Sequence, residues 1–428
     1  MRDSGAVAEP TRRGWLIDAE ELPSGLLAEV PSEAVYVIEH PRIPFISYPY
    51  EWCFGMLRDA ALLHLDLQLY LLDHDISLSD AGAYNIQFVG SEPVFIDYLS
   101  FRRYRNGEFW RGHRQFCEQF LNPLLLDAYL GIPFNSWVRG NLTGITAIEM
   151  NRALPLHKKW SWRVISHVTL PAWLQQGALK GDKLRSLGNR SGRLPPAGYR
   201  GLLTQLRNWI EALRPKAADI STWGAYREIS PYSETEEAAK HRFIADFIGK
   251  IRPGTLLDFG CNTGEYAEVA LAAGARSVIG YDSDPGALAG AYGRAKSKRL
   301  NLLPLYLDAA NPSPDQGWDQ SERKGFKARA SADAILALAF VHHPAIGGNI
   351  PLAQVVSWLV ESAPRGVIEF VPKSDPTIRK MLEFREDIFF DYDEARFVAA
   401  LKEHARIVGR ERITVTGRCL FSFERERV

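Results

Sequence analysis

No stretch of the 428-residue chain approaches 18 consecutive apolar residues, the length a helix needs to cross a bilayer. Cysteine is scarce: Cys53, Cys117, Cys261 and Cys419 lie far apart, which excludes a disulfide scaffold or a CxxC clamp. There is no excess of either charge, with 51 basic and 51 acidic residues. That balance argues against a whole-surface footprint for nucleic acid or anionic membrane, though not against a local patch. The first residues, MRDSGAVAEPTRRGWL, contain no apolar core of a secretory signal. A reduced, cytoplasmic location is the resulting expectation. Lysine is missing from the first 157 residues, where arginine supplies every positive side chain.

What remains is ordinary for a packed protein, with 46% hydrophobic and 24% charged residues. The length fits two or three domains. Internal repeats and low-complexity tracts are absent. Residues 176–200 are rich in Gly, Ser, Pro and basic residues and read as a linker or surface loop. The expected division is an α+β module over 1–175, a linker and helix over 176–220, and an α/β domain over 221–428.

From residue 254 the pattern alternates regularly. Short buried-strand patterns occur at 255–260, 277–282, 301–308, 330–340 and 365–371, with helical segments between several of them. The tail from 405 reads as two strands around a turn. This predicts a doubly wound, mostly parallel sheet closed by an antiparallel pair.

The segment LLDFGCNTGEYAEVA (256–270) carries the chemistry. A buried strand ends in Asp258, a tight turn holds Gly260, Cys261, Asn262 and Gly264, and a helix follows. Glycines allow a ligand to approach the main chain, and Asn is the residue that best replaces glycine in a left-handed conformation. Asp282 ends the next strand, 18 residues after Gly264, where a carboxylate grips ribose hydroxyls in such sheets. A dinucleotide turn would read G-x-G-x-x-G. Here the turn begins with a carboxylate, which repels a pyrophosphate and accepts hydrogen bonds from an ammonium or hydroxyl group.

The turn resembles motif I of the class I S-adenosylmethionine-dependent methyltransferases, and the resemblance covers roughly residues 255–425. It implies S-adenosyl-L-methionine as cofactor. Asp258 and the 260–264 turn would face its methionine part, Asp282 its ribose and Asp308 its adenine amine. Leu338 and Ala339, ending the fourth strand, would flank it. Tyr226, Tyr232 and Lys240 would lie in a region that lids the cofactor, with simple packing as the alternative.

Methyl transfer needs alignment, plus a base where the acceptor carries a proton. His342 and His343 follow the fourth strand, where this fold places acceptor-facing residues, and Glu369 lies in the fifth strand. These three are the catalytic candidates; packing or loop-orienting roles are the alternatives. No NPPY- or DPPF-like motif follows the fourth strand, which disfavours adenine or glutamine N-methylation. The acceptor is left open, with a small molecule or saccharide expected before nucleic acid. No metal is expected.

In the first 150 residues, Asp80, Asn85 and Asp97 resemble the catalytic loop and metal-binding aspartate of protein-kinase-like folds. PFISYPYEW (44–52) would be the hinge strand and residues 59–75 the long helix before the loop. The phosphate-anchoring lysine and the glycine-rich loop are absent, and only 43 residues precede Pro44. An inactive kinase-like module that assists acceptor or partner binding is therefore expected, against a helical domain with a chance match. The alternatives for the whole chain are a non-catalytic cofactor-binding scaffold and a bifunctional kinase–methyltransferase. Arginines interleaved with aromatics over 101–131 would suit either a nucleic-acid surface or internal stacking.

Overall fold

A computed structural model describes residues 5–23, 36–179, 195–216 and 232–425. The chain divides into two compact units. The first comprises Met1–Tyr50 with Phe54–Ala217, the second Glu51–Cys53 with Ala218–Val428.

The first unit is mainly helical. Its central helix, Phe54–Leu72, buries Met56, Leu57, Ala60, Leu65, Leu67 and Leu71. The segment 44–52 forms no strand: Pro44 and Pro49 lack the N–H a ladder needs, and Pro49–Glu51 makes a single 3₁₀ turn. Buried Gln68 accepts from the Leu78 N–H at 2.8 Å, tying the helix to the strand Ile76–Leu78. That strand pairs antiparallel with Phe101–Arg103, and a hairpin joins Ile86–Val89 to Glu92–Phe95. The helix Pro196–Ala212 packs on Phe54–Leu72, with Arg207 donating to both carboxylate oxygens of Asp66. In the Arg/aromatic stretch Trp110, Phe116 and Phe120 are buried, so these rings serve the core and not a stacking surface.

The second unit is built on a seven-stranded sheet. Its strands are β1 (Thr255–Phe259), β2 (Ser277–Asp282), β3 (Leu302–Tyr306), β4 (Ala334–Ala337), β5 (Arg365–Phe370), β6 (Arg406–Arg412) and β7 (Cys419–Glu424). They lie in the order β3-β2-β1-β4-β5-β7-β6. The first five run parallel, and β7 runs antiparallel to both β5 and β6. This is the doubly wound, mostly parallel sheet with a closing antiparallel pair that the sequence pattern predicts. β1 is flanked by β2 and β4, so its far end opens at the point where the winding reverses.

Helices α1 (Glu234–Ile251), α2 (Glu265–Ala272) and α3 (Pro285–Lys298) belong to the β1–β3 half, and α4 (Leu352–Glu361), α5 (Pro376–Leu382) and α6 (Glu394–His404) to the other. α1 begins with a capping box: the Ser233 hydroxyl and the Glu236 carboxylate satisfy each other's backbone N–H groups. Ile244, Ile248, Leu256, Ala267, Val278 and Leu336 join in one apolar core. Among the described residues no helix is long and apolar enough to cross a membrane.

Candidate active site

Beyond the end of β1 the chain makes a turn in which three residues are left-handed: Gly260 (φ +74°), Asn262 (φ +47°) and Gly264 (φ +75°). A Cβ on Gly264 would sit 2.8 Å from the Leu302 side chain, so that glycine lets α2 start directly against β3. A Cβ on Gly260 would meet the Phe340 ring at 3.3 Å. Asp282 fixes the turn to β2, accepting from the Asn262 N–H through Oδ2 and from the Asp284 N–H through Oδ1, both at 2.9 Å.

The turn lines a cavity of about 630 Å³ over the ends of β1, β2 and β4. Gly260, Cys261, Asn262, Asp282 and Asp308 line it together with Leu338 and Phe340, which lie against Gly260. His342, His343 and Tyr232 also face it. Tyr226 lies outside the described residues. Gly264, Asp258 and Glu369 are not on the cavity wall.

Asp258 is 1% exposed, and its Oδ2 has no hydrogen-bond partner. Burial lifts its carboxyl to about 7; Asp282 pushes the same way and Lys240 opposes. Burial also raises the Asp282 carboxyl. His342 is 1% exposed with both ring nitrogens unpartnered, and burial holds its pKa well below the usual histidine value. Burial lowers His343 to about 4. The two rings lie 4.3 Å apart, centre to centre, and both are neutral near pH 7.

Glu369 has a different place from the one expected of a base. It is fully buried; its Oε1 accepts from the Tyr232 hydroxyl at 2.5 Å and its Oε2 from Lys240 Nζ at 2.7 Å. Burial pushes its carboxyl up, but Lys240 and Arg418 outweigh that and the net direction is down. With both oxygens engaged, Glu369 is the counter-ion of a buried cluster.

Arg418 completes that cluster. It donates through Nε and Nη2 to the two oxygens of Asp375, at 2.7 and 2.9 Å, and through Nη1 to the Tyr232 hydroxyl at 2.7 Å. Lys240 also reaches that hydroxyl, at 3.0 Å. Two cations thus face two carboxylates around one phenol, and Tyr232, Lys240, Arg418 and Thr377 line the cavity beside the histidines. Sequence reading singles out neither Arg418 nor Asp375. They lie 43 residues apart, with no spacing signal to join them.

In the first unit the structure brings Asn85 and Asp97 together, Nδ2 donating to Oδ2 at 3.1 Å. Asp97 Oδ1 accepts from the Leu99 N–H, and Asp80 Oδ1 from Gln115 and the Gly82 N–H. The kinase resemblance reaches no further than this local arrangement.

A protein of *Rhizobium meliloti* (strain 1021), the nodulation protein NoeA, is 47% identical over 412 residues, covering 96% of this chain and 87% of that protein. The chain belongs to the NoeA family. No protein-family model matches it. Among solved structures, the N-methyltransferase NodS of *Bradyrhizobium japonicum* WM9 is similar at 15% identity and a TM-score of 0.34, over 46% of this chain and 99% of that one. The magnesium protoporphyrin IX methyltransferase ChlM of *Synechocystis* PCC 6803, with bound S-adenosylhomocysteine, is similar at 17% identity and a TM-score of 0.34, over 48% and 96%.

Proposed function

We propose that the second unit is an S-adenosylmethionine-dependent methyltransferase acting on a small-molecule or saccharide acceptor. The observation that carries this reading is the left-handed turn at Gly260, Asn262 and Gly264, opening onto a cavity lined by Asp282 and Asp308. A cofactor in that cavity would contact bare backbone at Gly260, where a side chain would crowd the Phe340 ring. Asp282 keeps acceptor capacity for ribose hydroxyls beyond its two backbone bonds, and Asp308 stands by the end of β3 to receive an adenine amine. Leu338 offers apolar contact to a ring.

The cofactor supplies a methyl group on a positively charged sulfur. A bound cofactor would thus supply an electrophilic methyl group, and a proton on the acceptor atom would have to be taken up by a residue of the chain. Neutral His342 and His343 can accept it, His342 through a ring nitrogen that has no other partner. The charge balance of the chain disfavours nucleic acid as acceptor, and the relative is named a nodulation protein. The first unit is assigned to acceptor or partner selection, since Asp80, Asn85 and Asp97 are engaged with protein groups.

Calorimetry with S-adenosylhomocysteine tests the reading. Wild-type protein is expected to bind. Gly260→Val, once circular dichroism establishes that it is folded, is expected to lose at least tenfold in affinity, because valine disfavours φ +74° and fills the approach to the backbone. Absence of binding by wild type would reject the cofactor, and equal binding by the variant would reject the turn.

A further inference from the structure

We propose that His113, Cys117 and His167 in the first unit form a zinc site. His113 and Cys117 stand one turn apart on the same helical face, the first on the helix His113–Phe116 and the second opening the π-helical turn Cys117–Leu121. His167 comes from a second π-helical turn, Ile165–Thr169. Such turns are rare and concentrate at functional positions.

The ligand atoms converge. His113 Nε2 lies 3.0 Å from His167 Nδ1 and 3.7 Å from Cys117 Sγ, and all three atoms fall within 4.8 Å of one another. Tetrahedral zinc with ordinary bond lengths requires edges of about 3.3 Å between two nitrogens and about 3.6 Å between nitrogen and sulfur. The His113–His167 and His113–Cys117 edges differ from these by a few tenths of an ångström, and the Cys117–His167 edge is at most 4.8 Å, so modest ring movement closes the site.

A hydrogen-bonded histidine pair alone would account for the 3.0 Å contact. It leaves unexplained why a thiol also points at the same nitrogen. The metal-free cluster offers two imidazole nitrogens and one sulfur. On binding, the proton between the rings moves to a ring's outer nitrogen, the Cys117 S–H proton leaves to solvent and the thiolate bonds to the ion. No redox step is involved. His113 is only partly buried and gives the ion its approach, with a water molecule in the fourth position. Two imidazoles and one thiolate suit zinc and exclude magnesium or calcium, which require oxygen donors.

The test uses the full chain, freed of metal and then titrated. One zinc per chain is expected to survive dialysis, and zinc but not magnesium is expected to raise the thermal midpoint. With cobalt(II) in its place, a thiolate-to-metal band in the near ultraviolet is expected. Cys117→Ser should lose that band and Cys53→Ser should keep it. Failure of wild type to retain zinc overturns the proposal without recourse to any variant. Survival of the band in Cys117→Ser overturns it equally.

Discussion

At the scale of single residues, the site sets two groups against their solution behaviour. His342 and His343 are neutral because they are buried, and the neutral imidazole is the form that receives a proton, although burial makes each a weaker base than a histidine in water. If one of them is the base, its replacement by alanine is expected to lower turnover by roughly 10²–10⁴-fold while leaving cofactor affinity within a few-fold. Steady-state rates beside calorimetry separate the two effects, and near-normal turnover in both variants would remove histidine from the chemistry. Asp258 gives a prediction that needs no acceptor. Its carboxyl rises from 3.8 to about 7 on folding, so the folded chain holds a proton that the unfolded chain releases. That contribution is whole below the unfolded value and is lost as pH rises through about 7. Asp258→Asn is thus expected to match wild type in stability near pH 4 and to exceed it above pH 7, by at most about 4 kcal/mol. Denaturant unfolding at the two pH values checks it; a constant difference would mean that the carboxyl titrates normally.

At the scale of elements, the ends of the strands matter more than their middles. Asp375 caps α5, accepting from the Thr377 N–H at 2.9 Å, and also receives Arg418 from the start of β7. One carboxylate therefore ties a helix N-terminus to the antiparallel end of the sheet. Arg418→Met should leave that buried carboxylate without its cation and destabilise the unit by roughly 3–5 kcal/mol. Adding Asp375→Asn should recover part of the loss, since the uncompensated charge then disappears. A double-mutant cycle by denaturant unfolding measures this, and strictly additive losses would deny the coupling. The strands themselves were legible because buried parallel strands are short apolar runs between turn signals. The left-handed Asn262 was legible from residue chemistry alone. Tyr232, Lys240 and Glu369 were singled out separately, but their cluster with Asp375 and Arg418 was not legible, because contacts between residues up to 186 positions apart are made by the sheet order. Glu369 illustrates the limit: its position in β5 suggested a base, and only packing reveals the lysine and phenol that occupy it. His113, Cys117 and His167 escaped a spacing-based reading in the same way, since the third member lies 54 residues from the first.

At the scale of the whole molecule, each unit encloses histidine whose charged form folding disfavours. In the first unit His64 is fully buried, with both ring nitrogens unpartnered, among Phe95, Trp110, Phe116 and Phe120. Burial takes its pKa from 6.5 to about 3. In the second unit His342 and His343 are shifted the same way. A base whose folded pKa is depressed contributes stability above its unfolded value and loses it as pH falls, because the unfolded chain gains a proton that the folded chain refuses. The window runs from 6.5 down to about 3 for His64 and down to about 4 for His343. Between pH 7.5 and 5 each such histidine is expected to cost about 2 kcal/mol. His64→Leu should stabilise the first unit, since leucine fits an aromatic cage without two unsatisfied nitrogens, and should also flatten its acid dependence. Thermal midpoints of wild type and His64→Leu, followed from pH 7.5 to 5 by near-ultraviolet circular dichroism, should diverge as the solution is acidified. Parallel curves would show that His64 takes its proton in the folded chain, through an opening of the aromatic cage around it.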